Sequence, residues 1–249
     1  MNVQASENFP GTSSAGMWRG TSRADRDGAR RERLLEAALE LYGTLGFRAT
    51  SIQALCHESG VSSRSFYELF PARKAGPTAE DGTAPESLSA QESLLEQLYI
   101  VLNAEIGEAI ATLTIPAAAS LRDATVHVVS AALMPMLRDE RKARVLEVEA
   151  VGVNESLEAR RRETMRMLAA AVDSAFVRLQ SAYDLPDLGF SPEADGGDLT
   201  SLIVVGGITE ALVQRVHTPV PERMSTTAFL THIAEVAMRA YGVVPDRGS

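Results

Sequence analysis

The chain has 249 residues and 26.7 kDa, enough for one large or two modest domains with a core that needs no staples. Apolar residues make up 45% and charged residues 23%, no uninterrupted apolar run approaches the ~20 residues of a bilayer span, and the first twenty residues lack a basic start followed by an apolar stretch; the expectation is a soluble, cytoplasmic protein with no membrane partner. Cys56 is the only cysteine, which excludes an intrachain disulfide framework and a thiolate metal cage within one chain.

The net charge of -9 is unevenly spread. Residues 1–75 carry ten Arg or Lys against eight Asp or Glu, whereas residues 76–249 carry fourteen against twenty-five, so the acidity belongs to the larger part. Six arginines fall between Arg19 and Arg33, a density that suits either phosphate or a solvated arm.

Residues 1–24 are rich in Ser, Gly, Thr and Asn without an apolar period and are predicted to form a flexible tail, Phe9 and Trp18 included. From Arg30 onward Leu34, Leu35, Ala38, Leu41, Tyr42 and Leu45 recur at three- and four-residue spacing, opposite Arg31, Glu32, Glu36 and Glu40, which predicts an amphipathic helix stopped by Gly46. Thr50 is followed three residues later by Gln53, the spacing of a capping box, and opens a short helix that turns Ile52, Leu55 and Cys56 inward and ends at Gly60. Ser62 stands where a cap belongs for a third helix, with Phe66, Leu69 and Phe70 apolar and Ser63, Arg64, Ser65, Tyr67 and Glu68 turned mostly away. Two short helices joined by a glycine turn, the second with an exposed polar face, have the layout of a helix-turn-helix, whose second helix enters the major groove.

The stretch GFRATSIQALCHESGVSSRSFYELFPARK resembles the DNA-binding segment of TetR-type transcriptional regulators: the glycine-aromatic pair, the Thr before a capped helix, the Gly-Val-Ser turn and the Phe-Tyr-x-x-Phe-Pro end follow in register from Gly46 to about Arg73. LEVEAVGVNESLEARRRE resembles, less specifically, an effector-domain segment of actinobacterial members, and the resemblance as a whole runs from about Arg26 to Tyr241. It implies that Thr50 and Tyr67 contact phosphates and that Ser63, Arg64 and Ser65 lie nearest base edges. Ser51 and Ser62 complete the DNA-facing set, with Arg73 and Lys74 where the family has a lysine after Phe-Pro. Arg64 can pair bidentately with guanine or meet a phosphate, and both readings stay open. Phe47, Phe66 and Phe70 are expected in the core and His57 at a surface helix end. Arg64 replaces a frequent family glycine and Leu69 a frequent His or Tyr, so a half-site sequence does not transfer. AGPTAEDGTAPES (75–87) after Lys74 marks an inserted loop, placed at 76–88: either the fourth helix begins near Glu86, or its first turn forms and is broken, and both imply looser coupling to the reading head.

Beyond it, Leu94, Leu95, Leu98, Val101, Leu102, Ile106, Ala109 and Ile110 predict a long helix over 91–113. Pro116 can start the next, with Leu121, Ala124, Thr125, Val128, Val129, Ala132, Leu133 and Met136 on its inner side and an end near Arg138; Pro135 marks either that end or a kink. A short helix over 139–151, a long one capped by Asn154 and running to about Tyr183, a loop, and helices over 199–216 and 225–241 complete the chain. The expectation is an all-helical protein of about nine helices, with a helix-turn-helix domain over 25–75 and a larger domain over 89–249.

The resemblance implies that this larger domain encloses a small-molecule effector and that its last two helices pair with their copies in a homodimer. The pocket is predicted to include His127, Met134, Glu149 and Met165, with Met136 and Met167 on the same helices; plain packing is the competing use of all of them. The dimer interface is predicted at Leu202, Val205, Thr209, Leu212, Val213 and Val216, with Gly206 and Gly207 allowing close approach, and at Phe229, Ile233 and Val236; these residues could instead serve the core of one chain.

No catalytic group, metal-ligand set or phosphate-binding loop has diagnostic spacing, and the four histidines form no zinc signature with Cys56, so no enzyme activity and no cofactor are expected. The sequence supports a ligand-responsive regulator, most simply a repressor that binds a palindromic double-stranded operator as a homodimer and is released by a small-molecule effector. A helical interaction protein with degenerate DNA binding, or an unrecognised helical enzyme, are the alternatives.

Overall fold

The computed structural model describes residues 22–73, 87–115, 120–185 and 199–243. Among them lie nine α-helices: α1 (Arg23–Thr44), α2 (Ile52–Ser59), α3 (Ser63–Leu69), α4 (Ala90–Ala111), α5 (Leu121–Arg138), α6 (Glu140–Arg144), α7 (Glu155–Ala182), α8 (Leu199–His217) and α9 (Thr226–Ala240). The described residues contain no β-strand, only an isolated antiparallel bridge between Arg73 and Leu88.

Helix α1 starts seven residues before the apolar period does. Ser22 accepts from the Asp25 amide at 3.0 Å and the Asp25 carboxylate accepts from the Ser22 amide at 2.9 Å, so a reciprocal cap fixes the start where no large apolar side chain marks it. Leu34, Ala38 and Tyr42 then form one core with Leu55, Val61, Phe66 and Phe70 of the two following helices. Gly60, at φ 62, closes α2 in the left-handed region that an L side chain avoids. Of the basic run, Arg31 is committed inside the protein: its guanidinium donates to the Leu69 carbonyl at 3.2 Å and lies 4.9 Å over the Phe70 ring, bracing the end of α3.

The described flanks of the insertion after α3, Arg73 and Leu88, meet each other. The Arg73 amide donates to the Leu88 carbonyl at 2.9 Å and the Leu88 amide returns the bond at 2.7 Å, so the two ends of the inserted segment are tied together. Ser89 and Glu92 form a second reciprocal cap, and α4 begins at Ala90, one residue before the predicted span over 91–113 and four after Glu86, one of the two starts the loop left open. Helix α5 is capped by Ser120, not started by Pro116, which lies outside the described residues. Pro135 sits in the last turn of α5, where the helix ends at Arg138 as expected.

The helix predicted over 139–151 is instead two elements: the five residues of α6, then a wide π-turn at Val145–Glu149 that buries Val145 and Leu146. The Ala150 amide reaches back five residues to the Val145 carbonyl at 3.0 Å. Helices α7, α8 and α9 match the expected spans, with Asn154 and Ser225 as caps for α7 and α9. Helix α8 is the one helix among the described residues long and apolar enough to cross a membrane by length and composition, and the single chain leaves much of it uncovered, with Leu199 and Ile203 64% exposed or more.

Candidate DNA-reading surface and effector cavity

Helix α3 divides its residues sharply. Phe66 and Phe70 are buried against α1, and this orientation leaves Ser63, Arg64, Tyr67 and Glu68 exposed. The Ser62 hydroxyl accepts from the Ser65 amide at 3.2 Å and bonds the Ser65 hydroxyl at 3.1 Å, so both serines are partly used in starting the helix. Arg64 donates from Nε to Glu68 at 3.0 Å in an exposed i,i+4 pair. Such pairs are worth only about 0.3–0.5 kcal/mol, so Arg64 is readily released to a base or phosphate. Tyr67 is 52% exposed and stands edge-on to Phe66 at 5.6 Å, its position fixed by a buried neighbour.

Two of the nominated DNA contacts, Thr50 and Arg73, have partners inside the protein. Thr50 is buried, and its hydroxyl donates to the Gly46 carbonyl at 2.8 Å; Ser51, which is exposed, caps α2 by accepting from the Ala54 amide at 3.1 Å, so no Thr50–Gln53 capping box forms. The Arg73 guanidinium pairs with buried Glu96 on α4. Lys74 lies outside the described residues.

Two carboxylates, Glu149 and Glu96, help to hold the reading head to the rest of the molecule, beside the pair of Glu40 with Arg141. Glu149, nominated for the effector pocket, instead accepts from the Phe47 amide at 2.8 Å and from Arg144 Nε at 3.0 Å, while Arg144 also donates to the Thr44 carbonyl at 3.1 Å. The π-turn thereby grips the α1–α2 corner, where Gly46 at φ 99 keeps its Cα side clear for the Glu149 oxygens. Gln91 on α4 donates to the Thr50 and Phe47 carbonyls at 2.7 and 3.2 Å from the other side. Glu96, 4% exposed, joins Arg73 to α7 through Ser156 at 3.2 Å and Arg160 at 3.5 Å. Glu96→Ala is expected to destabilise the protein by about 1–3 kcal/mol in urea unfolding, toward the low end because both arginines can return to solvent.

An apolar cavity of about 90 Å³ lies between α5, α7, α8 and α9, walled by Val128, Val129 and Ala132 on one side and Ala175, Phe176 and Tyr241 on another. Phe176 and Tyr241 stack at 4.1 Å with planes 13° apart. Behind them the fully buried Ser201 hydroxyl bonds both the Asp173 carboxylate and the Tyr241 hydroxyl. None of the four nominated pocket residues lines this cavity. His127 is exposed and, with Met134, borders a solvent groove on the other face of α5, beside Arg138 and Lys142. Met165 packs toward α8, its sulfur 3.8 Å from the Thr209 hydroxyl; Met167 is exposed and Met136 is core. The α5 residues that form the wall belong to the apolar face read from the sequence, whereas the nominated methionines and lone polar groups lie away from this cavity. Asp173 was missed, although an acid amid Val172, Ala175 and Phe176 marks a position needing a buried partner.

On α8 and α9, Val205, Leu212 and Ile233 are buried within the single chain and serve its own core, and Phe229 lies under Arg215 at 5.2 Å. Thr209, Val213 and Val216 are half-buried. Leu202 and Val236 remain exposed, joined by Leu199 and Ile203, which the sequence reading did not nominate.

Residues 34–75 match the family of bacterial regulatory proteins described as the tetR family. Comparison with curated proteins gives no match. Among solved structures, the transcriptional regulator FadR from Bacillus subtilis, in complex with stearoyl-CoA, is 15% identical with a TM-score of 0.59, over 84% of this chain and 98% of its own. The fatty acid degradation regulator FadR from Bacillus halodurans is 13% identical with a TM-score of 0.58, over 84% of this chain and 94% of its own. A bacterial regulatory protein of the tetR family from Rhodococcus RHA1 is 17% identical with a TM-score of 0.57, over 87% of this chain and 98% of its own. These likenesses establish a shared fold over the reading head and the larger helical part.

Proposed function

We propose, from the premise that the chain belongs to the TetR family of bacterial regulatory proteins, that it is a ligand-responsive, DNA-binding transcriptional regulator, a repressor that binds a palindromic operator as a homodimer in the cytoplasm. The observation that carries the reading is α3 itself: a short helix anchored by two buried phenylalanines, with Ser63, Arg64 and Tyr67 facing outward, inside the matched segment. In this reading Arg64 reads a base edge, Tyr67 and Ser51 meet phosphates, and Lys74 adds a cationic contact. The exposed apolar face of α8, with Val236 of α9, meets its copy, which places two α3 helices on one duplex.

The effector site is the apolar cavity, and its link to DNA runs along α5. That helix passes through Arg138 and Asp139 into α6, where Arg141 pairs with Glu40 of α1 and Arg144 holds Thr44. An effector releases DNA only if it binds the DNA-incompetent arrangement more tightly.

The test is selection of bound duplexes from a random pool, with the oligomer measured by light scattering. A palindrome bound by dimers is expected; a folded chain that enriches no sequence at low salt overturns the reading. On the selected operator, Arg64→Ala is expected to relax preference at one base position, by about 1–3 kcal/mol, while Tyr67→Phe weakens binding to all sequences alike. If Arg64→Ala lowers all affinities equally and reduces the salt slope, Arg64 is a phosphate contact.

A further inference from the structure

We infer that the effector is an uncharged lipophilic molecule that enters the cavity between α5, α7, α8 and α9 and wedges it wider; this rests on the proposed function and names the ligand class of its effector site. Among the described residues that line the cavity, none carries a charge. Its two polar side chains are already engaged, the Thr125 hydroxyl by the Leu121 carbonyl at 2.8 Å and the Tyr241 hydroxyl by Ser201. An ionised headgroup inside would lose its water with no charged residue in the described lining to replace it. Of the basic groups adjacent in sequence to lining residues, His127 borders the groove on the opposite face of α5, Arg122 and Arg239 pair with Glu235, Arg178 is exposed, and none of them lines the cavity.

Size gives the second half of the inference. An apolar cavity of about 150 Å³ takes up benzene, and this one offers about 90 Å³, so a ligand of more than a few carbons must part the helices. The walls suit such movement, because Ala132, Ala171, Ala175 and Ala237 bring helices close through small side chains that interlock little. A molecule that fills the wider state and not the narrow one has the differential affinity that a population shift demands.

The test uses the full chain and the neutral fluorophore N-phenyl-1-naphthylamine, displaced by 1-alkanols and by the fatty-acid anions of equal length at pH 8. Saturable probe binding is expected, with displacement by alkanols strengthening about fourfold per added methylene until the cavity is filled, and with the anions at least tenfold weaker. Ala132→Phe and Val129→Phe, which fill the space from one wall, should each abolish probe binding while circular dichroism stays helical. Anions that match or exceed the alkanols, or probe binding unchanged in a folded filled variant, overturns the inference. Operator binding, measured separately, distinguishes the two failures: a chain that takes the lipophile but selects no DNA keeps this inference and loses the regulator, whereas a chain that selects an operator but takes no lipophile does the reverse.

Discussion

Gly43→Ala is expected to destabilise the protein by about 1–3 kcal/mol and to loosen the reading head from the larger part of the molecule. In an ordinary helix interior the same change stabilises by roughly 0.5–1 kcal/mol, because alanine loses less backbone entropy on folding. At Gly43 the added Cβ would lie 2.4 Å from Cβ and 2.9 Å from Cα of Arg141, so what must move is the backbone of α6 and not the tip of a flexible side chain. Arg141 is itself fixed by Asp139 at 2.8 and 2.7 Å and paired with Glu40, and α6 runs on into the π-turn that carries Glu149 to Phe47. Displacing α6 therefore disturbs every bond at this corner. Gly28→Ala and Gly107→Ala supply the comparison: both glycines lie in helices with nothing within 4 Å of the new methyl, and both substitutions should raise the urea midpoint. A Gly43→Ala chain that is more stable than the parent would show that helix propensity outweighs the contact and would remove α1–α6 packing from the coupling route.

What the sequence made legible follows from which signals are local. Apolar spacing and caps are, and they located α2, α3, α7, α8 and α9 to within a residue or two. The start of α1 escaped because its first turns face solvent and carry no large apolar side chain, although Ser22 and Asp25 were there as a capping pair. The π-turn escaped because one extra residue in a turn leaves composition unchanged, and the bond it supports, from the Phe47 amide to Glu149 across 102 positions, is visible only in three dimensions. The same distinction governs the site. The exposed face of α3 could be deduced from the helical period alone, whereas Thr50 and Arg73 are both of a chemistry that suits phosphate and are both committed to internal partners. Nominating Glu149 as a pocket group rested on its apolar neighbours in sequence, Val148 and Ala150, which carry no sign of the distant Phe47 amide that it reaches.

Glu147→Gln is expected to stabilise the protein increasingly as pH rises, with little effect near pH 5 and up to roughly 3 kcal/mol at pH 8 and above. Glu147 lies in the π-turn near Tyr99 of α4 and Arg161 of α7. Burial pushes its carboxyl up to about 7 from an ordinary value of 4.5, and the attraction of Arg161 only partly offsets that. Between these two values the folded chain holds a proton that the unfolded chain has released, so folding is favoured less as the proton becomes harder to retain. Stability of the parent should fall as pH rises from about 4.5 and level off above 7, where the buried carboxylate carries its full desolvation cost. Glutamine has nearly the same shape and no charge to desolvate, and its curve should stay flat across that window. On the acid side the order reverses: Asp139, held below the ordinary range by Arg141, contributes stability above about pH 4 that is lost as pH falls through its lowered value in the folded chain. Between these two groups, the parent should consequently be most stable at roughly pH 4 to 5. Urea unfolding of parent and variant at pH 5, 6.5 and 8 checks this, and a difference that does not grow with pH would mean that Arg161 keeps Glu147 charged in the folded chain.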